Sequence, residues 1–388
     1  MRERYYVRVR EGLPDDLAPT YKRRFATAAA TAQIVAVLGD MQKAVAAMLK
    51  ATPWLDEPSK AEALAKLAAT TFFICTDPVY DACTDVVIRG GGATAYAANV
   101  ASVAASAWCR RVAPLTSPAA AARWDVRPYR TNAQNRQADN SIAFSTAMTQ
   151  YPLLPPDAFY VPAALTYGAA GFFTAHEFGH SYDTGGINFD VAGASREWLS
   201  IAFLAVAVER AACIVAQYSR YRITELDAAG VPPVFTDGTM TLNENIADAF
   251  SLRVGLDRLR SAIAGHLTSR GMGPANPPLA AVFTNEQLYF VCAALVWCIK
   301  RTDANLRTYL ANDFHAIERP RVLGPMSHSP AFAAAFQCPL GSVYRPEERC
   351  KLYGECGRGG ARSGRAPQMV ATETRSALFL LFVLSGLL

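Results

Sequence analysis

Apolar positions recur at helical spacing along most of the chain, with two breaks that matter. Residues 17–115 read as mostly helical. The Ala-rich run FATAAATAQIVAVLGDMQKAVAAMLKA (25–51) suits one long helix, and EPSKAEALAKLAATTFF (57–73) suits a second. Asp56 or Ser59 can cap that second helix, and Gly90–Gly92 interrupts the pattern. Residues 123–165 differ: RWDVRPYRTNAQNRQADNSIAFST mixes turn residues with short apolar runs and predicts one or two strands, NSIAFS being the better candidate. Helix returns over 166–220. VPPVFTDGTM (231–240) reads as a loop, TLNENIADAFSLRVGLDRLRSAI (241–263) as a long helix and GMGPANPP (271–278) as a loop. NEQLYFVCAALVWCIK (285–300) is again helical. The pattern holds no internal repeat.

At the C-terminus the polar, small-residue stretch 354–375 gives way to SALFLLFVLSGLL, about 13 apolar residues and too short to span a bilayer as a helix. The layout resembles a lipid-anchor addition signal, with Gly359, Gly360, Ala361 and Ser363 as candidate attachment residues and membrane association as the consequence. A last helix buried in the core, or a tail without a role, fits the same pattern. The N-terminus MRERYYVRVREGLPDD has no apolar core for a signal peptide, and no Asn-x-Ser/Thr acceptor occurs.

Composition narrows the class. The chain has 388 residues, 51% apolar and 18% charged, which fits a folded protein with a sizeable core. Net charge is +5, but Lys and Arg are dispersed. The densest cluster, Lys22–Arg24, reads as a solvated helix face, so nucleic acid is not an expected partner. Nine cysteines without a CxxC pair, three of them near the C-terminus, favour disulfides and an oxidising compartment over a structural zinc site.

Candidate chemistry starts at HEFGH. His176 and His180 lie four apart, on one face of a predicted helix, where both imidazoles can share a metal. Glu177 is rotated by about 100° from His176, so it faces reacting water better than it serves as a third ligand. A helix with one core and one surface histidine fits these five residues equally well. A catalytic zinc needs a third protein ligand and an open position. Glu244 and Asp248, again one turn apart, supply a carboxylate ligand and an acceptor for the second N–H of a ligand histidine. Alone, that pair reads as a solvated helix face.

Several separated stretches together carry a resemblance. HEFGHSYDTGGINF, NENIAD and DFHAIERPRVLGPMSHSPAFAAAFQC, with TNAQNRQADNSIAF, CIVAQY and PEERCKLY, look like the neprilysin and endothelin-converting-enzyme family of zinc metallopeptidases, over Trp54 to Tyr353. The resemblance implies one Zn2+ per chain on His176, His180 and Glu244. Glu177 would be the general base, Asp248 would orient a ligand histidine, and His315 would stabilise the oxyanion. Asn132 and Ala133 would hold the substrate backbone, and Arg321 a substrate carbonyl. Phe173, Met148, Leu153 and Trp297 would line an apolar side-chain pocket. Cys213 would pair with Cys350, while Cys298 and Cys338 match disulfide positions whose family partners lie upstream, leaving them unpaired or paired with each other.

The expected fold is therefore mainly α with a small β component: a gluzincin, thermolysin-like catalytic lobe plus a partial helical cap lobe. The expected division is a cap region at 1–122, a catalytic lobe at 123–353 and a linker with apolar tail at 354–388. Against the family layout the chain reads as an N-terminally truncated form. Phe250 also stands where the family pattern expects glycine. The implied activity is a zinc endopeptidase cutting short peptides before a hydrophobic residue, at the cell surface or outside the cell. The alternative is an impaired paralogue that binds peptides or proteins without cutting them. Oligomeric state is left open.

Overall fold

The computed structural model describes residues 14–74, 90, 92–116, 126–154, 163–270 and 283–351. The 271–278 loop and the C-terminal tail with its candidate attachment residues lie outside these. Among the described residues, four helices and one strand precede residue 117. They are α1 (Pro14–Phe25), α2 (Ala28–Ala51), α3 (Glu57–Ala68), β1 (Thr71–Ile74) and α4 (Gly92–Thr116). In α2, Thr27 caps the first turn through its side chain. Ile34, Val37, Leu38, Met41, Val45, Met48 and Leu49 form the buried stripe of a helix with one core face. Asp56, not Ser59, caps α3 by accepting from Ser59 N at 2.9 Å.

The structure corrects the second helix at its end. It stops at Ala68, and Thr71–Ile74 is a strand. The run TFFI has the β-branched and aromatic make-up of a strand, but its partner lies far along the chain. β1 pairs in parallel with β3 (Ser141–Phe144), and β2 (Ala133–Arg136) pairs with β3 antiparallel, giving the order β1-β3-β2. β3 lies within NSIAFS and is buried along its length. Asn140 (φ 47°) turns the chain into it in the left-handed region that Asn tolerates. β2 is left at one edge of the described sheet.

The remaining α-helices among the described residues are α5 (Ala163–Gly168), α6 (Ala170–His180), α7 (Ile201–Tyr218), α8 (Leu242–Arg270), α9 (Asn285–Leu295), α10 (Asp303–Asn312), α11 (Glu318–His328) and α12 (Pro330–Ala335). α6 is buried nearly all round and packs against α8, α2 and β2. One continuous apolar core joins α2 and α3 to α5, α6, α8 and α9. The α6–α8 approach is close because Gly179 faces Ala247. A Cβ at 179 would stand 3.0 Å from Ala247 Cα, so any larger residue would push the two helices apart. Cys213 in α7 and Cys350 are joined by a disulfide, whereas Cys298 and Cys338 are free and not paired with each other.

Candidate active site

The close contact of α6 with α8 brings two pairs of polar side chains face to face. His176 and His180 project from α6 with their Nε2 atoms 3.1 Å apart. Glu244, in the first turn of α8, lies between them, with Oε2 3.1 Å from His176 Nε2 and Oε1 3.3 Å from His180 Nε2. The three donors lie within 4.8 Å of one another. Bonds of about 2 Å arranged tetrahedrally put donors roughly 3.3 Å apart, so this N, N, O set fits a zinc ion.

Each ligand imidazole has a carboxylate behind it. His176 Nδ1 sits 2.9 Å from Asp248 Oδ1, and His180 Nδ1 sits 2.7 Å from Asp183 Oδ2. Asp248 is fully buried and receives Arg321 Nε at 2.7 Å and Nη2 at 2.8 Å. Arg321, itself buried, stacks its guanidinium 3.9 Å from the ring centroid of Trp297. Electrostatics follow from this packing. Burial opposes charge on His176, but Asp248 and Glu244 overcome it and hold the imidazole up at about 10. Burial also opposes charge on Glu244, yet the His180 charge and hydrogen bonds from His176 and His315 drive its carboxyl well below the usual range. Buried Glu177 is pushed up, chiefly by loss of water and against the pull of both histidines.

A cleft of about 730 Å³ opens over the donors. Its lining includes Asn132 and Ala133, Met148 and Phe173, Glu177 and His315, and Trp297 and Arg321. His315 Nε2 stands 3.1 Å from Glu244 Oε2, and its Nδ1 lies 2.6 Å from Asp313. Phe173 and Trp297 meet edge to face at 5.6 Å between centroids, making one apolar wall. Leu153 departs from expectation: it packs at the margin of the core and does not line the cleft. The turn at 150–153 carries it away, with Leu153 N bonded to Gln150 O. Asp248 is absent from the lining because it lies beneath His176.

A family model for Peptidase family M13 matches residues 132–352, more than half the chain. The chain belongs to that family. It is 31% identical over 243 residues to the "Endothelin-converting enzyme homolog" of Locusta migratoria, covering 62% of this chain and 30% of that protein. It is 35% identical over 214 residues to "Neprilysin-1" of Caenorhabditis elegans, covering 55% of this chain and 27% of that one. The fold matches an inhibitor-bound zinc metalloprotease of Mycobacterium tuberculosis with a TM-score of 0.76 at 25% identity, over 89% of this chain and 50% of that structure. The chain thus spans about a third or less of these curated relatives and half of the solved structure.

Within the M13 framework, three supporting residues escaped the reading of the sequence. Asp183 follows the second histidine by three, a spacing that points its carboxylate back at His180. Asp313 precedes His315 by two and accepts from both its backbone N and its Nδ1. Asn135 on β2 donates to Glu177 O at 2.8 Å and to Ser181 Oγ at 2.9 Å, tying the sheet edge to α6. Phe250 is accommodated: it is fully buried and stacks on Tyr182 at 6.3 Å.

Proposed function

We propose that this M13 chain is a zinc-dependent endopeptidase acting on short peptides, with a preference for a hydrophobic side chain after the cut. One observation carries the reading: two imidazoles and a carboxylate converge at the floor of an open cleft, the imidazoles backed by Asp248 and Asp183 and the carboxylate by Arg321 Nη2 at 3.4 Å. His176, His180 and Glu244 would hold the zinc ion, which would supply Lewis acidity for the scissile carbonyl. Glu177 takes the proton of the attacking water and passes it to the leaving amine. Its raised pKa, a result of burial, suits a base that must also give the proton back. Asp313 accepts from His315 Nδ1 and so turns Nε2 to the cleft, where it would face the oxyanion. Asp248 and Asp183 orient the two ligand imidazoles.

Substrate placement follows from the cleft walls. β2 offers an edge, with Asn132 and Ala133 at its start, along which a peptide can lie as a further strand. Phe173, Met148 and Trp297 would line the apolar pocket, and Arg321 beside Trp297 would meet a substrate carbonyl; their presence in the cleft lining supports this. In this proposal the catalytic lobe is 123–353 and the stretch before it is a helical support. The Cys213–Cys350 disulfide favours an oxidising, extracellular setting. The test compares the wild-type chain with Glu177→Gln on an internally quenched peptide, with and without chelator. Chelator-sensitive cleavage at least a hundredfold faster in the wild type is expected. Equal, chelator-insensitive signals from the two proteins would reject the enzyme.

A further inference from the structure

Lys66 is the most deeply buried cation of α3, at 1% exposure. Its Nζ donates to three backbone carbonyls: Ser181 O at 2.9 Å, Gly186 O at 2.7 Å and Phe189 O at 2.7 Å. The rings of Tyr182 and Trp198 stand 5.9 and 5.6 Å away. These carbonyls belong to one loop, the one that leaves the metal-facing helix α6. Ser181 caps that helix, where carbonyls lack partners and the helix dipole favours a positive charge. The loop wraps tightly: a Cβ on Gly186 would come 2.0 Å from His180 O. Inside the wrap, Asp183 Oδ1 accepts from Gly185 N and Gly186 N, which leaves Oδ2 for His180 Nδ1. The same loop is tied to α3 a second time, by Tyr182 Oη donating to Ala63 O at 2.8 Å.

We infer that Lys66 is a positioning residue for the metal site: by gripping both sides of the 181–189 loop it sets Asp183 against His180, and so tunes zinc affinity from a helix that contributes no ligand. The chain of contact runs from Nζ to the carbonyls at 181 and 186, through the amide of Gly186 to Asp183, and from Asp183 to the imidazole. Partners behind metal ligands typically change affinity 10- to 100-fold when lost, and Lys66 acts one step further back. A loss near tenfold is therefore the expected effect. Burial lowers the Lys66 ammonium to about 8, with Asp183 and Asp190 resisting, so it is largely charged at neutral pH and suited to three carbonyl oxygens.

This inference rests on zinc binding at His180, so the experiment measures binding rather than cleavage. Zinc affinity is read by competition with a chromogenic chelator for the wild-type chain, Lys66→Met, Lys66→Gln, Asp183→Asn and the Lys66→Met/Asp183→Asn pair. The expected result is about tenfold weaker zinc binding in Lys66→Met and a smaller loss in Lys66→Gln, which keeps two donors. The pair should bind no more weakly than Asp183→Asn alone, because both changes break the same chain. Affinity within twofold of wild type in Lys66→Met, or a loss that adds in full to that of Asp183→Asn, overturns the inference. If neither Lys66 variant folds even in excess zinc, Lys66 serves the fold and the inference is equally overturned. Absence of zinc binding by the wild type would instead refute the proposed function.

Discussion

Replacing Arg321 by methionine tests whether the site is held by charge pairing below the ligands. Methionine keeps much of the apolar stem but removes both hydrogen bonds to Asp248 and the contact with Trp297. Asp248 is fully buried, so its charge then loses its chief partner. Breaking a buried pair from one side costs about 3–5 kcal/mol. His176, 2.9 Å from Asp248 and held up at about 10, still offers partial compensation, so the expected loss is near the lower figure, about 3 kcal/mol. Adding Asp248→Asn removes the stranded charge. The double variant should recover most of that loss while zinc binding stays at least tenfold weak, because a neutral amide no longer polarises His176. Urea unfolding of zinc-free protein at pH 7 gives the stability, with unchanged slopes as the check on two-state behaviour, and chelator competition gives the affinity. A single-variant loss below about 1 kcal/mol would refute the reasoning. So would a double variant less stable than the single.

Three further changes probe separate parts. His315→Ala should lower kcat by about 10²–10³ with little change in KM, measured by steady-state kinetics with chelator competition alongside. Zinc affinity should weaken by no more than about tenfold, because Glu244 loses one hydrogen-bond partner but the two imidazoles and the carboxylate remain; a much larger loss of zinc would show His315 to be a ligand instead. Phe250→Ala should cost about 3–5 kcal/mol in urea unfolding, because a fully buried ring stacked on Tyr182 leaves a cavity; a variant as stable as wild type would mean that the ring is not packed. His328 is buried, donates from Nε2 to Gln217 Oε1, and is lowered to about 4 by burial and then by Arg349. Its folded pKa lies below its unfolded one, so its contribution is intact above about 6.5 and is lost as pH falls toward 4, by up to about 3 kcal/mol. His328→Gln should therefore show a shallower fall in unfolding free energy between pH 7 and pH 4.5, and parallel profiles for the two proteins would contradict it.

What could be read in advance was local. The one-turn spacing of His176 and His180 and of Glu244 and Asp248 needs only a helix to be meaningful, and both helices are present. Asp56 as a cap and NSIAFS as a strand are likewise set within a few residues. What could not be read depends on parts of the chain brought together by folding. Thr71–Ile74 continues the apolar run of α3, and only pairing with Ser141–Phe144 makes it a strand. Lys66 looks like any lysine on a helix until three carbonyls at 181, 186 and 189 surround it. Leu153 turns away from the cleft because of a bend whose geometry its neighbours in sequence do not announce. Phe250 has room because Tyr182, itself fixed to α3, presents a flat face to it.

The position of α6 is over-determined, and the constraints come from both sides of the chain. α8 sets how near it lies, through Gly179 against Ala247. β2 pins its backbone at Glu177 O and its end at Ser181 through Asn135. α3 grips the loop that leaves it through Lys66 and Tyr182, and α2 packs against it within the common core. The M13 match begins at residue 132, yet α2 and β1 lie before it and touch the metal-facing helix or its sheet, and α3, also before it, holds the loop that leaves that helix. Donor atoms spaced at 3.1–3.3 Å tolerate little rotation of α6 before one of them leaves bonding reach. A helix held from one side alone could roll; held from several, it keeps two imidazoles turned toward Glu244. Residues 28–74 thus belong to the physics of the site although they donate nothing to it.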